Sequence, residues 1–263
     1  MLGASQPAPA DEILAETVDH ICTITLNRPE KRNALTVAML ETLHDVLARL
    51  AARCDVRVIV VEGTGRAFCS GLDLREMAAQ REAGEAQMRP IERMLERLEA
   101  CPQPTVAAMQ GDAVAGGCEL GLHCDLRVAA DDARFTMPVT TFGLAPPVDF
   151  TWKLVDAIGL AKAKEMLFTG EPIDAREALR FGLVNAVVPV DTLPQAVDSL
   201  ARRIARNAPL AVRAVKTFAQ HSLRRDLPRE ELDALDRRVR MSADLKEGLA
   251  ARLERRSPVF RGE

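Results

Sequence analysis

Residues 111–119, GDAVAGGCE, combine a run of small side chains with a single glutamate at the end. The apolar run 105–109 before them predicts a buried strand, and residues 119–122 after them predict the first turn of a helix. Glycines let a ligand approach the backbone, and a helix N-terminus offers free N–H groups with a partial positive charge. Such N–H groups can stabilise a developing oxyanion, and the helix that they begin carries an acid, Glu119. The alternative is a tight turn in which Glu119 only favours the helix dipole.

Composition argues against several other classes of function. The 263 residues carry a net charge of −3, with 3% aromatic residues and no tyrosine, which argues against nucleic acid as a partner. Six cysteines and four histidines lack the paired spacing of a zinc site, so no metal is predicted. No apolar run approaches membrane length, and residues 1–11 do not resemble a signal peptide. We therefore expect a cytoplasmic protein without membrane contact.

Strands alternate with glycine-containing turns and helices over most of the chain. Residues 21–26 alternate apolar residues with threonine, as a strand does, and residues 56–61 are mostly β-branched. Between them, leucines fall on one face of a helix that Thr36 can cap. Residues 67–74 form a second segment of small residues between a strand and a helix. This order predicts an α/β layered fold with parallel strands.

The pattern changes near residue 193. Residues 1–12 have the composition of a loose tail, and residues 13–192 carry the alternating strands and helices. Residues 193–263 predict helices alone, and their apolar stripes indicate a region that packs on another subunit. These predicted helices cover residues 196–206, 209–222, 229–242 and 245–256.

Short motifs follow one another along the chain. They begin with ITLNRP at 24–29 and NAL at 33–35, and they continue with AFCSGLDL at 67–74. Further motifs are the 111–119 segment, CDLRVA at 124–129, GLV at 182–184 and the tail segments 242–244, 246–248 and 258–262. In this order, from about residue 18 to the C-terminus, they resemble the enoyl-CoA hydratase/isomerase family, also called the crotonase family.

The resemblance implies a crotonase-like spiral of ββα units followed by a helical trimerisation region, assembled as a homotrimer or homohexamer. It implies an acyl-CoA thioester as ligand, and no cofactor apart from the coenzyme A of that substrate. By position, the backbone N–H groups of Leu72 and Gly116 would hold the thioester carbonyl oxygen as an oxyanion hole. Glu119 would be the general acid and base. The residues fit these roles, because an enolate needs two donors fixed in advance.

The same resemblance implies that residues 70–75 line the adenine and phosphate end of CoA. Arg28 and Arg75 suit the phosphates, since guanidinium groups pair with phosphate oxygens, and the alternative is a solvated surface arginine. Asp73 could instead cap local backbone N–H groups. Lys216 is expected to be a surface lysine or to reach CoA on a neighbouring subunit. The predicted acyl-CoA contacts are Arg28, Ser70, Asp73, Leu74, Arg75, Gly117 and Val139.

The chain departs from the hydratases of this family at two places. Those enzymes use a second glutamate in a Pro-Glu pair, and here the pair is Pro138-Val139, whose valine cannot exchange a proton. Residues 146–150, PPVDF, replace a glycine-rich run and introduce Asp149. Asp149 is either the N-cap of a helix over 150–158 or a divergent catalytic residue.

We therefore predict an enzyme that acts on an acyl-CoA through a thioester enolate. The reaction would be hydration, dehydration or a related lyase or isomerase step, with Glu119 as general acid and base. Two alternatives stay open. One is an acyl-CoA-binding protein that has lost its chemistry, and the other is an enzyme that uses Asp149 as nucleophile or acid.

Overall fold

The computed structural model describes residues 12–82, 89–142, 144–224, 230–231, 234, 237–238, 241–254 and 256–263. Its strands are β1 (Ile13–Val18), β2 (Ile21–Leu26), β3 (Val58–Gly63), β4 (Ala67–Cys69), β5 (Thr105–Met109), β6 (Asp112–Val114), β7 (Leu126–Ala130), β8 (Arg134–Thr136), β9 (Ile173–Asp174) and β10 (Ala186–Val188). Its helices are α1 (Val37–Ala51), α2 (Leu74–Glu82), α3 (Arg89–Glu99), α4 (Gly116–His123), α5 (Val148–Ile158), α6 (Leu160–Thr169), α7 (Ala175–Phe181), α8 (Leu193–Ala205), α9 (Pro209–Arg224) and α10 (Ala243–Leu253).

The strands form two sheets, and successive turns of the chain add one strand to each. The first sheet has six strands in the order β1-β2-β3-β5-β7-β10, and the second has four in the order β4-β6-β8-β9. β3, β5 and β7 are parallel neighbours in the first sheet, while β4, β6 and β8 are parallel neighbours in the second. This arrangement confirms the predicted crotonase-like spiral of ββα units.

The core lies around the first sheet. Every residue of β5 is buried, as expected for a central parallel strand covered on both faces. α8 packs across β3, β5 and β7 through a buried stripe that includes Leu193 and Val197. The predicted helical region therefore begins with a helix that packs on the sheet of its own chain. Among the described helices, none combines the length and apolar character needed to cross a bilayer.

Several elements differ from the sequence-based expectation. The strand predicted at 56–61 lies two residues later as β3. β4, β6 and β8 were not predicted, because three residues are too few to display a period of two. Residues 1–11 of the predicted tail, and much of the helix predicted over 229–242, lie outside the described residues.

Candidate active site

The second glycine loop leaves β6 at Val114 and turns sharply into α4, which begins at Gly116. The turn is made at Ala115, whose φ of 47° and ψ of −116° are rare for a residue with a Cβ atom. Two backbone hydrogen bonds hold this conformation. Ala115 N–H donates to the Thr136 carbonyl (2.9 Å), and the Ala115 carbonyl accepts from Glu119 N–H (3.0 Å). Because Gly116 is the first helical residue, its own N–H has no partner within the helix.

The first loop presents an N–H group in a related way. It leaves β4 at Cys69 and forms a parallel bridge between Leu35 and Leu72. The Gly71 carbonyl accepts from Leu35 N–H (2.8 Å), and Asp73 N–H donates to the Leu35 carbonyl (2.9 Å). Since Leu72 lies between the two residues that make these bonds, its N–H points away from Leu35.

The two loops touch each other. A Cβ atom placed on Gly116 would lie 3.5 Å from the backbone nitrogen of Leu72 and 3.4 Å from the Cα of Gly71. β4 and β6 are parallel neighbours, so the loops that follow them start at the same edge of the second sheet. In the described part of the chain, neither Leu72 N–H nor Gly116 N–H has a hydrogen-bond acceptor. The fold thus brings together two backbone donors that can hold one oxygen atom.

Glycine residues allow the two loops to approach each other closely. A Cβ atom on Gly117 would lie 2.1 Å from the Cys69 carbonyl oxygen, and one on Gly71 would lie 2.8 Å from the Val114 carbonyl oxygen. Gly71 also has a φ of 88°, a left-handed value that favours glycine. Gly117 therefore seats α4 on the end of β4, and its contact with acyl-CoA stays a prediction.

Glu119 is buried on the first turn of α4, with 3% of its surface exposed. Burial raises the pKa of its carboxyl to about 7, and the negative charge of Glu92 adds to the rise. A carboxyl with this pKa exchanges its proton near neutral pH, which suits a general acid and base. The carboxyl and the Gly116 donor belong to the same turn of one helix.

The neighbours of Glu119 on α4 are buried as well. Nδ1 of His123 lies 2.8 Å from the Glu119 carbonyl oxygen and carries a proton, because a carbonyl can only accept. Burial lowers the pKa of His123 to about 4, and the positive charge of Lys153 acts in the same direction. His123 is therefore neutral at physiological pH. Burial raises the pKa of the Cys118 thiol to about 12, so the thiol stays protonated at physiological pH.

Arg28 is held by partners of its own chain. Its guanidinium donates to Asp73 Oδ2 (2.8 Å) and to the Ala34 carbonyl (3.1 Å), and its Nε lies 3.3 Å from the Glu12 carboxylate. Only 12% of the side chain is exposed, so the alternative of a solvated surface arginine is wrong. Arg28 fixes the first loop through Asp73, and its contact with a CoA phosphate stays a prediction.

Asp73 caps the helix that follows the first loop, as one of the sequence alternatives predicted. Its Oδ1 accepts a hydrogen bond from Arg75 N–H (3.0 Å), next to the start of α2. Leu74 and Arg75 are exposed there, and the Ser70 hydroxyl donates to the Lys31 carbonyl (3.3 Å). The outer side of the first loop therefore offers an exposed apolar residue and an exposed guanidinium side by side.

The two departures from the hydratase pattern lie in different surroundings. Val139 is partly buried and packs against the hydrophobic core. The predicted N-cap role of Asp149 is wrong, because α5 begins at Val148, two residues earlier than predicted, and Pro147 occupies the cap position without a side-chain bond. Asp149 is exposed in the first turn, where it favours the helix dipole, and its charge acts on His123.

Lys216 is buried in its own chain. Its Nζ lies 2.8 Å from Asp125 Oδ2 and donates to the Gln103 carbonyl (3.0 Å), with 7% of the side chain exposed. The prediction of a surface lysine is therefore wrong. Its contact with CoA on a neighbouring subunit stays a prediction.

Two residues that shape the site were not singled out as such from the sequence. Asn33 is buried, and its Nδ2 donates to the carbonyls of Ala67 (2.9 Å) and Phe68 (3.1 Å), which fixes β4 ahead of the first loop. Glu92 lies on α3, and no signal in the sequence marks it, because its effect on Glu119 depends on how α3 packs against α4. Within the residues that are described, no group of three or more His, Cys, Asp or Glu side chains is placed to hold a metal ion.

Known proteins resemble this chain over nearly its whole length. The model of the enoyl-CoA hydratase/isomerase family matches residues 16–263. The 2,3-dehydroadipyl-CoA hydratase of Escherichia coli (strain K12) is 36% identical over 256 residues, covering 95% of this chain and 99% of the relative. The (E)-benzylidenesuccinyl-CoA hydratase of Thauera aromatica is 38% identical over 256 residues, again covering 95% of this chain and 99% of the relative. The crystal structure of an enoyl-CoA hydratase from Bacillus anthracis is similar with a TM-score of 0.89 at 35% identity, covering 96% of this chain and 100% of that one. The chain therefore belongs to the enoyl-CoA hydratase/isomerase family.

Proposed function

We propose that this chain is an acyl-CoA hydratase that adds water across the Cα=Cβ bond of an enoyl thioester, or removes it, through an enolate, or that it performs a related lyase or isomerase step. The observation that carries the proposal is the meeting of three groups: the N–H donors of Leu72 and Gly116, and the buried carboxyl of Glu119. Membership of the family supports it, and the two relatives described above are named as hydratases of acyl-CoA thioesters.

The two N–H donors would stabilise the thioester oxygen as it gains negative charge in the enolate. A donor of this kind contributes about 3–4 kcal/mol in known enzymes. Here the start of α4 and the Leu35–Leu72 bridge hold the donors in place before the substrate arrives. The protein therefore does not have to reorganise as the charge develops.

Glu119 would exchange a proton with the water that is added or lost. As a carboxylate it accepts a proton from water while the water oxygen bonds to Cβ of the acyl chain. In the reverse direction the protonated carboxyl gives that proton to the departing hydroxyl. A pKa of about 7 keeps both protonation states populated near neutral pH, so the same residue can serve both directions.

The exposed side of the first loop would bind the CoA part of the substrate. The guanidinium of Arg75 is exposed next to Leu74, and guanidinium groups pair with phosphate oxygens. Arg28 would act mainly by holding the loop, since its guanidinium already pairs with Asp73.

Hydration of crotonyl-CoA by the purified chain, together with calorimetry of acetyl-CoA binding, tests the proposal. Glu119→Gln keeps the shape of the side chain and removes the base, so we expect kcat to fall by about 10²–10⁴-fold. Binding should change little. Glu96→Gln, which alters an exposed carboxylate on α3, is the matched control and should leave both quantities unchanged.

Two results would count against the proposal. Binding without detectable hydration by the wild-type chain would favour the second candidate, an acyl-CoA-binding protein without chemistry. Val139 supports this candidate because a valine cannot exchange a proton. Absence of binding to any CoA ester at about 1 mM would exclude both candidates.

A further inference from the structure

Addition of water to an enoyl thioester requires two proton transfers at neighbouring carbon atoms. One proton leaves the water that attacks Cβ, and another reaches Cα. Glu119 can carry out the first transfer. Position 139, where the hydratases of the family place a second carboxyl, holds a valine packed against the core, and a valine cannot take part.

Helix α3 lies directly against the site. Its apolar face is buried through Ile91, Met94, Leu95 and Leu98. The Cδ1 atom of Ile91 would lie 3.0 Å from a Cβ atom placed on Gly116, so this side chain touches the residue that supplies an oxyanion donor. The residue that follows Ile91 is therefore held next to the start of α4.

The charges on α3 show how it is aligned with α4. Glu92 is the charged residue that acts on Glu119, in the first turn of α4. Glu99, two helical turns later, acts on His123 at the end of α4 and pairs with Lys153 at 2.7 Å. α3 therefore runs beside α4 in the same direction, with Glu92 beside Glu119.

Glu92 differs from Glu76 and Asp73, the carboxylates near the first loop, because its carboxylate is free to contact a ligand. Its side chain is exposed, and in the described part of the chain it makes no hydrogen bond or ion pair. By contrast, Glu76 accepts a hydrogen bond from Val37 N–H (2.9 Å), and Asp73 is bound by Arg28. The charge of Asp149 acts on His123, with no corresponding action on Glu119.

We propose that Glu92 is the second carboxylate of the active site and exchanges the proton at Cα of the acyl chain. The proposal rests on the function proposed above. In it, Glu92 on helix α3 carries out the proton transfer that Val139 cannot perform.

In dehydration, the Glu92 carboxylate takes a proton from Cα of a 3-hydroxyacyl thioester, and the electron pair of that carbon–hydrogen bond forms the enolate, whose oxygen is held by Leu72 N–H and Gly116 N–H. The enolate pair then forms the double bond between Cα and Cβ while the bond from Cβ to the hydroxyl oxygen breaks. Protonated Glu119 gives its proton to the departing hydroxyl, which leaves as water. Glu92 ends protonated and Glu119 ionised, and transfer of one proton from Glu92 to Glu119 through solvent restores the starting state. Hydration follows the same steps in reverse, and nothing is oxidised or reduced.

The test separates the two proton transfers. Crotonyl-CoA hydration reports on both, whereas exchange of the Cα protons of butyryl-CoA in D2O, followed by mass spectrometry, reports on the Cα step alone. We expect Glu92→Gln to lower kcat for hydration by about 10²-fold with little change in KM, and to lower Cα exchange by a similar factor. Glu119→Gln should lose hydration and keep Cα exchange. Added formate should restore part of the activity of Glu92→Ala, which a merely structural role would not predict.

Glu96→Gln, one turn further along α3, is the control and should behave as wild type. If the wild-type chain hydrates crotonyl-CoA and Glu92→Gln does so equally well with full Cα exchange, the assignment of Glu92 is overturned while the proposed function stands. If the wild-type chain shows neither hydration nor exchange, the proposed function itself fails and the assignment fails with it.

Discussion

The burial of Glu119 should make its ionisation destabilise the protein, and Glu119→Gln should reveal this. The pKa of the carboxyl rises from 4.5 to about 7 on folding. The folded state therefore holds the proton more tightly than the unfolded state between these values. The contribution of Glu119 to stability is complete below about pH 4.5 and is lost as the pH rises through 7. The loss amounts to about 3 kcal/mol, at 1.36 kcal/mol for each pKa unit.

A glutamine at position 119 does not ionise, so the variant avoids this loss. The free energy of unfolding of Glu119→Gln minus that of wild type should increase by about 2.5 kcal/mol between pH 5 and pH 8.5 and then level off. The pKa of His123 moves in the opposite sense, to about 4, so protonation of that residue costs stability as the pH falls below 6.5. His123 is present in both proteins, and its effect cancels in the difference.

Urea unfolding followed by circular dichroism, at constant ionic strength and protein concentration, measures the difference at each pH. Glu96→Gln, with its exposed site on α3, is the control and should give a difference that does not vary with pH. A difference for Glu119→Gln that is equally flat from pH 5 to pH 8.5 would refute the link between burial and proton affinity on which the role of Glu119 depends.

Three further predictions concern packing and assembly. Gly117→Ala places a Cβ atom 2.1 Å from the Cys69 carbonyl oxygen, so it should lower the free energy of unfolding in urea by about 3 kcal/mol and reduce hydration activity. Unchanged activity would contradict the tight contact of the two loops. Lys216→Met leaves the Asp125 carboxylate without its ion-pair partner and should lower the free energy of unfolding by about 3 kcal/mol. The double variant with Asp125→Asn should recover part of this loss. A single variant as stable as wild type would contradict the buried pair. Light scattering should give the mass of three or six chains, because apolar side chains such as Phe168 are exposed on α6, and a monomer at micromolar concentration would contradict the expected assembly.

Much of the first sheet could be predicted because its strands are long enough to show a pattern. Residues 21–26 and 105–109 were predicted as strands and form β2 and β5 with those bounds. The stripe of leucines after Thr36 was predicted as a helix and forms α1, which Thr36 caps through a hydrogen bond from Met39 N–H. In each case the period of two or of 3.6 residues repeats several times within one element.

Other features could not be predicted, because they depend on neighbours distant in the chain. β4 and β6 have three residues each, and their pairing with each other defines them as strands. The burial of Lys216 was not predicted because its partner, Asp125, lies far from it in the chain, between α4 and β7. The cap role of Asp149 was predicted wrongly because α5 begins at Val148, two residues before the predicted start, and a cap depends on the exact boundary of its helix.

The sequence by itself determined the family, the two glycine loops, the glutamate at position 119 and the valine at position 139. These follow from residue types in a fixed order, which a linear reading preserves. Only the tertiary structure decided that the two loops touch, that Glu119 is buried enough for its pKa to reach about 7, and that Glu92 stands beside it. The physical reason is that burial and charge interaction depend on distances in the folded structure. The separation of two residues along the chain does not reveal these distances.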